Sequence, residues 1–479
     1  MNLRRPFVLA AITLASILGF GLSIAGDPFQ VVIRQAEYHL SRHEYGQAIE
    51  LYRGYLDVKP GQPEISQRLA DLCLLKNKPD AAKSVLNSWA TANPGDPWPH
   101  LSLGSILASQ GQPGDAEAEY RKALNLDPGL RNARRGLAEL LLDQGSIDLA
   151  HSELDTLLRQ DDSDQASHFK LGQILVAQSS PLAIAHLQRA IDLKADPIVT
   201  AQAEDILETL LTGQAEGNGA HAAASLGRAL LKIRAITLAN HQFAEATKLD
   251  SDYADAFAYL GYTWLLLGRA DLAQVPLEKA VLLDPTSPFG HNILGDTLRA
   301  RGMVQAAVEE MKKAVEIDST DPFLLSDLAL TYLAANDISA AEETYVKVVD
   351  LARSDPAFVG QLAHFYLDRL FKLEKGLAAA RRLVDLDSGN GESVDLLGWA
   401  LYLNGQTGEA GKALNQSLKL TPYLASAHYH LAVLQEQSGQ IDKAKQGYER
   451  AADLDLSGAI EKRAKQALSQ IAADAATVR

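Results

Sequence analysis

Residues 102–129 read SLGSILASQGQPGDAEAEYRKALNLDPG, and the same pattern returns twice further along the chain. Residues 259–286 read YLGYTWLLLGRADLAQVPLEKAVLLDPT, and residues 396–423 read LLGWALYLNGQTGEAGKALNQSLKLTPY. Each stretch has Leu-Gly near its start, a glycine seven residues later, an alanine twelve residues after the first glycine, and a proline beside its last residue. Recurrence of the same small residues at fixed spacing indicates a repeated structural unit.

The period of this pattern is 34 residues. The residue at the eighth position of each unit is small, and a second small residue follows twelve positions later in most units. The eighth-position residues are Ala36, Ala70, Gly104, Ala138, Gly172, then Gly227, Gly261, Gly295, Ala329, then Gly398 and Ala432. A constant spacing over so many units makes an unrelated alanine-rich helical bundle a poor alternative, because a bundle gives no reason for it.

Each recurring feature of the unit has a physical role. Apolar residues at helical spacing make both halves of a unit amphipathic helices. The small residues allow the two helices of one unit to approach closely. Glycine in the turn ends the first helix, and Asp or its equivalent begins the second. The Leu-Asp-Pro endings stop the second helix, since proline cannot continue it. The pattern therefore predicts a helix–turn–helix hairpin for every unit.

These features resemble the tetratricopeptide repeat (TPR) family over roughly residues 29–458. The resemblance implies an all-α fold, a right-handed solenoid of helix–turn–helix hairpins with about twelve repeats. Such folds leave each repeat in contact with its sequence neighbours.

Two breaks in the period divide the chain. Residues 198–219 supply an extra helix and a glycine-rich stretch that we interpret as a flexible linker. They separate a first array of about five repeats, residues 27–197, from a second of about seven, residues 220–458. A degenerate unit lies at 358–390. Residues 459–479 are predicted to form a capping helix and tail, because their apolar residues lie on one face.

Residues 1–26 have a different composition. Arg4 and Arg5 precede the uncharged residues 6–26, and Ala25 ends a small-x-small cleavage motif. This pattern is typical of a secretory signal peptide, cleaved near Ala25. About twenty uncharged residues can also span a bilayer as an uncleaved inner-membrane anchor, and a buried soluble helix is a third alternative. In the first two cases the rest of the chain is exported, periplasmic, and in contact with a membrane only through residues 1–26.

Composition and motifs argue against several function classes. The net charge of −15 disfavours nucleic acid as a partner. The single cysteine, Cys73, is expected to be a small buried hydrophobe. His39 and His43 are four residues apart but have no further ligands, so we expect no metal site, and the carboxylates at 160–165 suit a solvated turn. No catalytic or cofactor-binding motif appears, so the protein is expected to be non-enzymatic and without cofactors.

In proteins of this family, ligands lie in the groove lined by positions two, five, nine and twelve of the first helix of each repeat. Carried onto this chain, the resemblance implies partner-binding residues that combine aromatic rings with carboxylates and amides, as suits a polypeptide of basic or mixed character. In the second array they are Tyr262, Phe289, Asn292, Asp296, Arg299, Phe323, Ser326, Glu392, Asp395, Trp399, Tyr402, Tyr429 and Glu436. The first array offers Gln67, Asp71, Arg135, Glu139, Phe169 and Gln173, a more polar set. The alternative is that some of the aromatic residues pack between repeats.

The last repeats are similar to those of secreted bacterial TPR proteins that support exopolysaccharide export or envelope assembly. The resulting hypothesis is a non-enzymatic protein–protein interaction scaffold of the bacterial cell envelope. A polysaccharide-binding accessory factor and a holdase-like chaperone for secreted proteins are the alternatives. No repeat has the Lys and Asn pair with which some TPR co-chaperones bind a C-terminal carboxylate.

Overall fold

The computed structural model describes residues 28–477. Within this range the structure consists of helices and turns, without a strand. In chain order the helices are α1 (Pro28–Ser41), α2 (Tyr45–Val58), α3 (Pro63–Leu75), α4 (Pro79–Ala92), α5 (Trp98–Ser109), α6 (Pro113–Leu126), α7 (Arg131–Asp143), α8 (Ile147–Gln160), α9 (Gln165–Ala177), α10 (Leu182–Leu193), α11 (Pro197–Glu216), α12 (Gly219–Lys232), α13 (Ile236–Leu249), α14 (Ala254–Leu266), α15 (Ala270–Leu283), α16 (Pro288–Ala300), α17 (Val304–Ile317), α18 (Pro322–Ala334), α19 (Ile338–Leu351), α20 (Pro356–His364), α21 (Leu373–Leu386), α22 (Gly391–Leu403), α23 (Thr407–Leu420), α24 (Ala425–Gln437), α25 (Ile441–Leu454) and α26 (Ala459–Thr477), with a π-helical turn at Phe365–Leu370.

These helices follow one another as twelve helix–turn–helix hairpins, α1–α2 to α9–α10 and α12–α13 to α24–α25. In most hairpins the two helices pack on each other, as α14 does on α15, and within each part of the array a second helix packs on the first helix of the next hairpin, as α15 does on α16. The predicted all-α solenoid of about twelve repeats is therefore confirmed.

The small residues of the repeat lie where two helices meet. A Cβ atom added to Gly172 would lie 2.8 Å from Cδ2 of Leu187 on the second helix of the same hairpin. At Gly227 the added atom would lie 2.9 Å from the ring of Phe243. These distances are shorter than a carbon–carbon contact, so each glycine is required by helix packing. The large apolar residue of the motif fills the space that the glycine leaves.

The first break in the period is a complete additional helix. Gly172 and Gly227 are 55 residues apart, 21 more than the period, and α11 occupies this surplus. The helix extends to Glu216, and only Gly217 and Asn218 separate it from α12, whose first turn is capped by the Asn218 side chain. This differs from the predicted flexible linker.

The helices on either side of this break also contact each other directly. The buried amide of Gln242, on α13, donates hydrogen bonds to the backbone oxygens of Ala177 (3.4 Å) and Val176 (3.5 Å) at the end of α9. Since these groups are buried, cutting the chain at 213–219 would expose polar groups that now satisfy each other.

The second break is one inserted residue. The small residues Ala363 and Gly398 lie 35 residues apart instead of 34, and the π-helical turn Phe365–Leu370 lies between them. A π-helical turn accommodates one residue more than the α-helix around it. The register is then restored at Gly376, where an added Cβ atom would lie 2.4 Å from Leu367. The slip in the sequence pattern is therefore a local bulge in an otherwise ordinary hairpin.

Two compact units divide the described residues. One is formed by residues 107–353, and the other joins residues 28–106 to residues 354–477. The boundaries differ from those of the predicted arrays, and residues 198–219 lie inside the first-named unit. We refer to them below as the central unit and the terminal unit.

The structure describes the predicted C-terminal helix but not the predicted N-terminal segment. The predicted capping helix is α26, which packs Ala464, Leu468 and Ile471 against the last hairpin. The predicted signal or anchor at residues 1–26 lies outside the described residues. Among the helices at 28–477, none is both long and apolar enough to cross a membrane.

Candidate partner-binding site

The predicted partner-binding residues lie on first helices of the hairpins, in two groups that belong to different units. In the central unit, Tyr262 lies on α14, Phe289, Asn292 and Asp296 lie on α16, and Phe323 lies on α18. We call these five residues the Phe289 cluster. In the terminal unit, Trp399 and Tyr402 on α22 and Tyr429 on α24 form, with His430, the Trp399 cluster.

The aromatic rings of the Phe289 cluster connect neighbouring repeats. The Phe289 ring lies 5.8 Å from the ring of Tyr262 and 5.0 Å from that of Tyr259, both on the preceding first helix. Tyr262 and Phe289 also pack against the buried Ile293 and its neighbours. These two rings are therefore half-buried packing residues as well as surface residues.

Phe323 is more exposed than these two rings. It lies one period after Phe289, and 67% of it is exposed. A phenyl ring with this exposure has a large apolar surface that a bound partner can cover.

The two polar residues of the Phe289 cluster each pair with a further side chain. The Asn292 amide donates to a carboxylate oxygen of Asp327 on α18 (3.2 Å), and Arg299 pairs with Asp296 (2.6 Å). Burial raises the pKa of the Asp327 carboxyl, and the hydrogen bond from Asn292 opposes the shift. Within residues 28–477, Oδ1 of Asn292 and Nε of Arg299 are buried without a hydrogen-bond partner. One acceptor and one donor are thus left for a ligand or water.

The Trp399 cluster is a stack of rings across two repeats. The Trp399 ring lies 5.1 Å from that of Tyr402 and 4.3 Å from that of His430, at interplanar angles of 20° and 16°. His430 is oriented by Asp395, because its Nδ1 lies 2.8 Å from a carboxylate oxygen of that residue. Asp395 is itself 4% exposed. The predicted contact residue Asp395 is therefore mainly a buried support for His430.

Tyr429 extends the Trp399 cluster towards the last hairpin. Its ring lies 5.9 Å from that of His430 and 5.5 Å from that of Tyr448 on α25. The Tyr448 hydroxyl donates to a carboxylate oxygen of Glu436 at 2.5 Å. Burial, reinforced by this carboxylate, raises the pKa of Tyr448, and burial also raises that of Tyr429. Both hydroxyls stay protonated and can donate at neutral pH.

Pairs of polar residues 35 positions apart are a feature that sequence reasoning missed. Asn292 and Asp327, and Asp395 and His430, have this separation, as do Gln67 and Ser102, whose side chains lie 3.2 Å apart. One period plus one residue places two side chains on facing sides of neighbouring first helices. A search of the sequence at this separation would have found the partners of Asn292 and Asp395.

Two predicted groove residues of the first array belong to the core. Phe169 and Gln173 on α9 are both buried. Positions five and nine of this helix are covered here because all but two residues of α9 are buried. The prediction that Phe169 and Gln173 line an open groove is therefore wrong. The other first-array residues pair on the surface, such as Gln67 with Asp71 (2.8 Å).

The residues considered for metal binding have other partners. His39 lies 2.7 Å from Glu44, and the His43 ring stacks on Tyr423. Cys73 is buried, as expected, and burial raises the pKa of its thiol. No group of three or more potential metal-ligating side chains occurs in the part of the chain that the structure describes.

Several solved structures are similar to this one at low identity. Yeast Tom70 is 17% identical, over 86% of this chain and 95% of that chain, with a TM-score of 0.37. The APC/C hetero-tetramer Cut9–Hcn1 is 14% identical, over 95% and 98%, with a TM-score of 0.34. The C-terminal part of a TPR repeat-containing protein from Cytophaga hutchinsonii is 15% identical, over 50% and 97%, with a TM-score of 0.42. Superpositions at these TM-scores establish neither a common architecture nor a common function.

Sequence comparison identifies the repeats themselves. A search of curated proteins finds no match. Family models described as Tetratricopeptide repeat match residues 39–100, 107–173 and 425–457. These ranges fall on hairpins near both ends of the array, and their small residues lie at the helix contacts described above. The chain therefore contains tetratricopeptide repeats.

Proposed function

We propose that this protein is an exported, non-enzymatic scaffold of the bacterial cell envelope that binds a polypeptide through the Phe289 and Trp399 clusters. TPR proteins bind protein partners, and both clusters combine aromatic rings with polar side chains on first helices, with buried unsatisfied polar atoms beside the Phe289 cluster. The observation that carries the proposal is the Trp399 cluster, whose four rings contact one another and reach Tyr448, the hydrogen-bond partner of the Glu436 carboxylate.

The chemistry of the clusters favours a partner with basic and apolar side chains. Glu392 is exposed at the start of α22, and Glu436 and Asp296 lie half-buried beside the rings. Aromatic rings next to carboxylates suit Lys and Arg side chains, whose apolar stems cover the rings while their charges meet the carboxylates. The net charge of −15 supports the same preference.

The binding test compares single substitutions in residues 27–479. We expect Phe323→Ala to lower partner affinity by about tenfold while leaving the unfolding transition almost unchanged, because this ring is largely exposed. Trp399→Ala should lower affinity similarly, and should also cost about 1 kcal/mol of stability through the lost stacking with His430. Capture from envelope extracts followed by titration calorimetry measures both quantities.

Phe371→Ala is the matched control. Phe371 is as exposed as Phe323 but lies in the turn after the π-helical segment, outside both clusters. If this variant loses as much affinity as Phe323→Ala, binding is not located at the clusters.

If Trp399→Ala with Tyr402→Ala abolishes glycan binding and leaves protein partners attached, the polysaccharide-binding alternative is correct. Equal binding of many unfolded proteins would support the holdase alternative.

Export is a second, independent part of the proposal. It rests on Arg4 and Arg5 before an uncharged stretch that ends in a small-x-small motif. Alkaline phosphatase fused after residue 60 should therefore be active, since this reporter matures only outside the cytoplasm. An inactive fusion, with an active cytoplasmic reporter at the same position, would contradict export. Mass spectrometry of the N-terminus would distinguish cleavage at Ala25 from a retained anchor.

We further propose that this scaffold supports exopolysaccharide export or envelope assembly.

A further inference from the structure

The first two hairpins of the chain contact the last hairpin, inside the terminal unit. Helix α2 lies against α25, and the hydrogen bonds between these regions join residues 376 to 408 positions apart. In a repeat array each unit normally contacts only its neighbours. Contacts between the two ends are therefore additional to the packing that builds the array.

Lys76 is the most buried part of this contact. Only 3% of the residue is exposed, and its ammonium donates to the backbone oxygens of Ala452 (2.8 Å), Asp453 (2.8 Å) and Asp455 (2.6 Å). These oxygens lie at and just beyond the C-terminal end of α25, where backbone carbonyls have no partner within the helix and the helix dipole favours a positive charge. A lysine from one end of the chain thus caps a helix of the other end.

Further hydrogen bonds surround Lys76. Asn77 donates to the backbone oxygen of Ser457 (3.1 Å), and the Lys78 ammonium lies 2.7 Å from a carboxylate oxygen of Glu461. Like Lys76, both residues lie in the turn between α3 and α4. This turn therefore recognises the end of α25 and the start of α26 through three consecutive side chains.

The turn between α1 and α2 makes a second set of contacts. Arg450 donates to the backbone oxygens of Arg42 (2.8 Å) and His43 (3.0 Å). The Gly46 backbone donates to the Asp453 carboxylate at 2.6 Å. The His43 ring stacks on Tyr423 with 4.0 Å between centroids. The turns inside the first two hairpins thus both contact α25.

The two regions that meet at this contact have separate hydrophobic cores. The core of the first hairpins consists of residues from Phe29 to Ile106, and that of the last hairpin consists of residues from Tyr429 to Ile471. Within the described residues, these two clusters share no side chain. Separating the ends would therefore mainly break hydrogen bonds that water can replace.

We propose that these contacts form a latch between the two ends of the chain, which opens and closes while both hydrophobic cores stay folded. Lys76 and Arg450 are its principal donors. The latch holds because its charged donors meet backbone oxygens in a site from which water is largely excluded. It can open because the two hydrophobic clusters that it joins have no side chain in common.

Distance measurements between two spin labels test the latch directly. Labels at Glu50→Cys and Gln446→Cys place one probe on each side of the contact, at exposed positions of α2 and α25. Cys73 can remain, because it is buried and burial raises the pKa of its thiol. The full chain should show mainly one short distance. Lys76→Met should add a population with a longer distance and raise the open fraction at least about tenfold, since it removes charge-assisted hydrogen bonds. Far-ultraviolet circular dichroism should remain unchanged.

Two further variants decide the interpretation. Arg450→Ala removes the second set of donors from a half-buried site, so it should open the latch even if Lys76→Met proves unstable. Lys59→Met removes an exposed lysine of the same unit and should leave the short distance in place. The proposal is overturned if both latch variants keep the short distance, if Lys59→Met opens the ends equally, or if opening is accompanied by loss of helix content. A short distance that disappears on dilution would also overturn it, because the contact would then join two copies of the chain.

Discussion

Replacing Gly261 with leucine is expected to destabilise the protein far more than replacing Gly268 with alanine. A Cβ atom at Gly261 would lie 2.3 Å from Cγ of Leu277, at the contact between α14 and α15. Overpacking a well-packed contact typically costs about 1–3 kcal/mol, and a leucine here also has no space for its branched end. We expect a loss at or above the upper end of this range, seen as a lower midpoint in chemical denaturation followed by circular dichroism.

Gly268 is the matched control because it belongs to the same hairpin. It has φ of +72° in the turn, and nothing lies within 4 Å of an added Cβ atom. Alanine there should cost roughly 1 kcal/mol, the penalty of the left-handed conformation for a residue with a side chain. Equal midpoints for the two variants would show that the close approach of α14 and α15 does not depend on Gly261.

Replacing His430 with alanine is expected to cost about 3 kcal/mol. The substitution leaves the buried Asp395 carboxyl without the ring nitrogen that lies 2.8 Å away, and it removes a ring that stacks on Trp399. Removing one partner of a buried pair is costly because the remaining polar group cannot regain water. Chemical denaturation of residues 27–479 measures the loss.

His364 provides the comparison. It pairs with Asp368 at 3.0 Å in the same unit, but the two side chains are 61% and 56% exposed. His364→Ala should therefore change stability by less than about 1 kcal/mol. Adding Asp395→Leu to His430→Ala should recover part of the lost stability, since the unpaired group is then gone. If the two histidine variants are equally stable, the Asp395–His430 pair is not a buried support of the Trp399 cluster.

Most of the local architecture could be predicted from the sequence. The small residues recur every 34 positions because each must allow two helices to touch, and glycines such as Gly268 recur because each hairpin needs a left-handed turn residue. Requirements of this kind act within one hairpin. Every hairpin therefore repeats them, and they appear as a periodic pattern in the sequence. The fold class and the number of repeats follow directly.

The two breaks in the period were visible in the sequence, but their structures were not. An extra 21 residues after Gly172 indicated an insertion, and packing of α11 between α10 and α12 made it a helix of the array with a two-residue turn. The one-residue slip before Gly376 indicated a degenerate unit. The extra residue is accommodated in a π-helical turn because the helix contacts before and after it, including the one at Gly376, keep their register.

The candidate site was only partly predictable. The resemblance to the family placed Trp399, Phe289 and Phe323 on first helices, where they are found. It did not predict that Asp395 would be buried beneath His430, because burial depends on which residues of the next repeat face it. Phe169 was misplaced for the same reason, since the neighbours of α9 cover the whole helix.

The sequence by itself determined the hairpins, their order and the residues at which their helices touch, because these depend on contacts within one period. The tertiary structure alone decided which side chains are buried between repeats and that the two ends of the chain meet. Lys76 and Asp453 are 377 residues apart, and no periodic pattern links them. Their contact depends on tertiary packing between residues that are far apart in the sequence, so no local pattern encodes it.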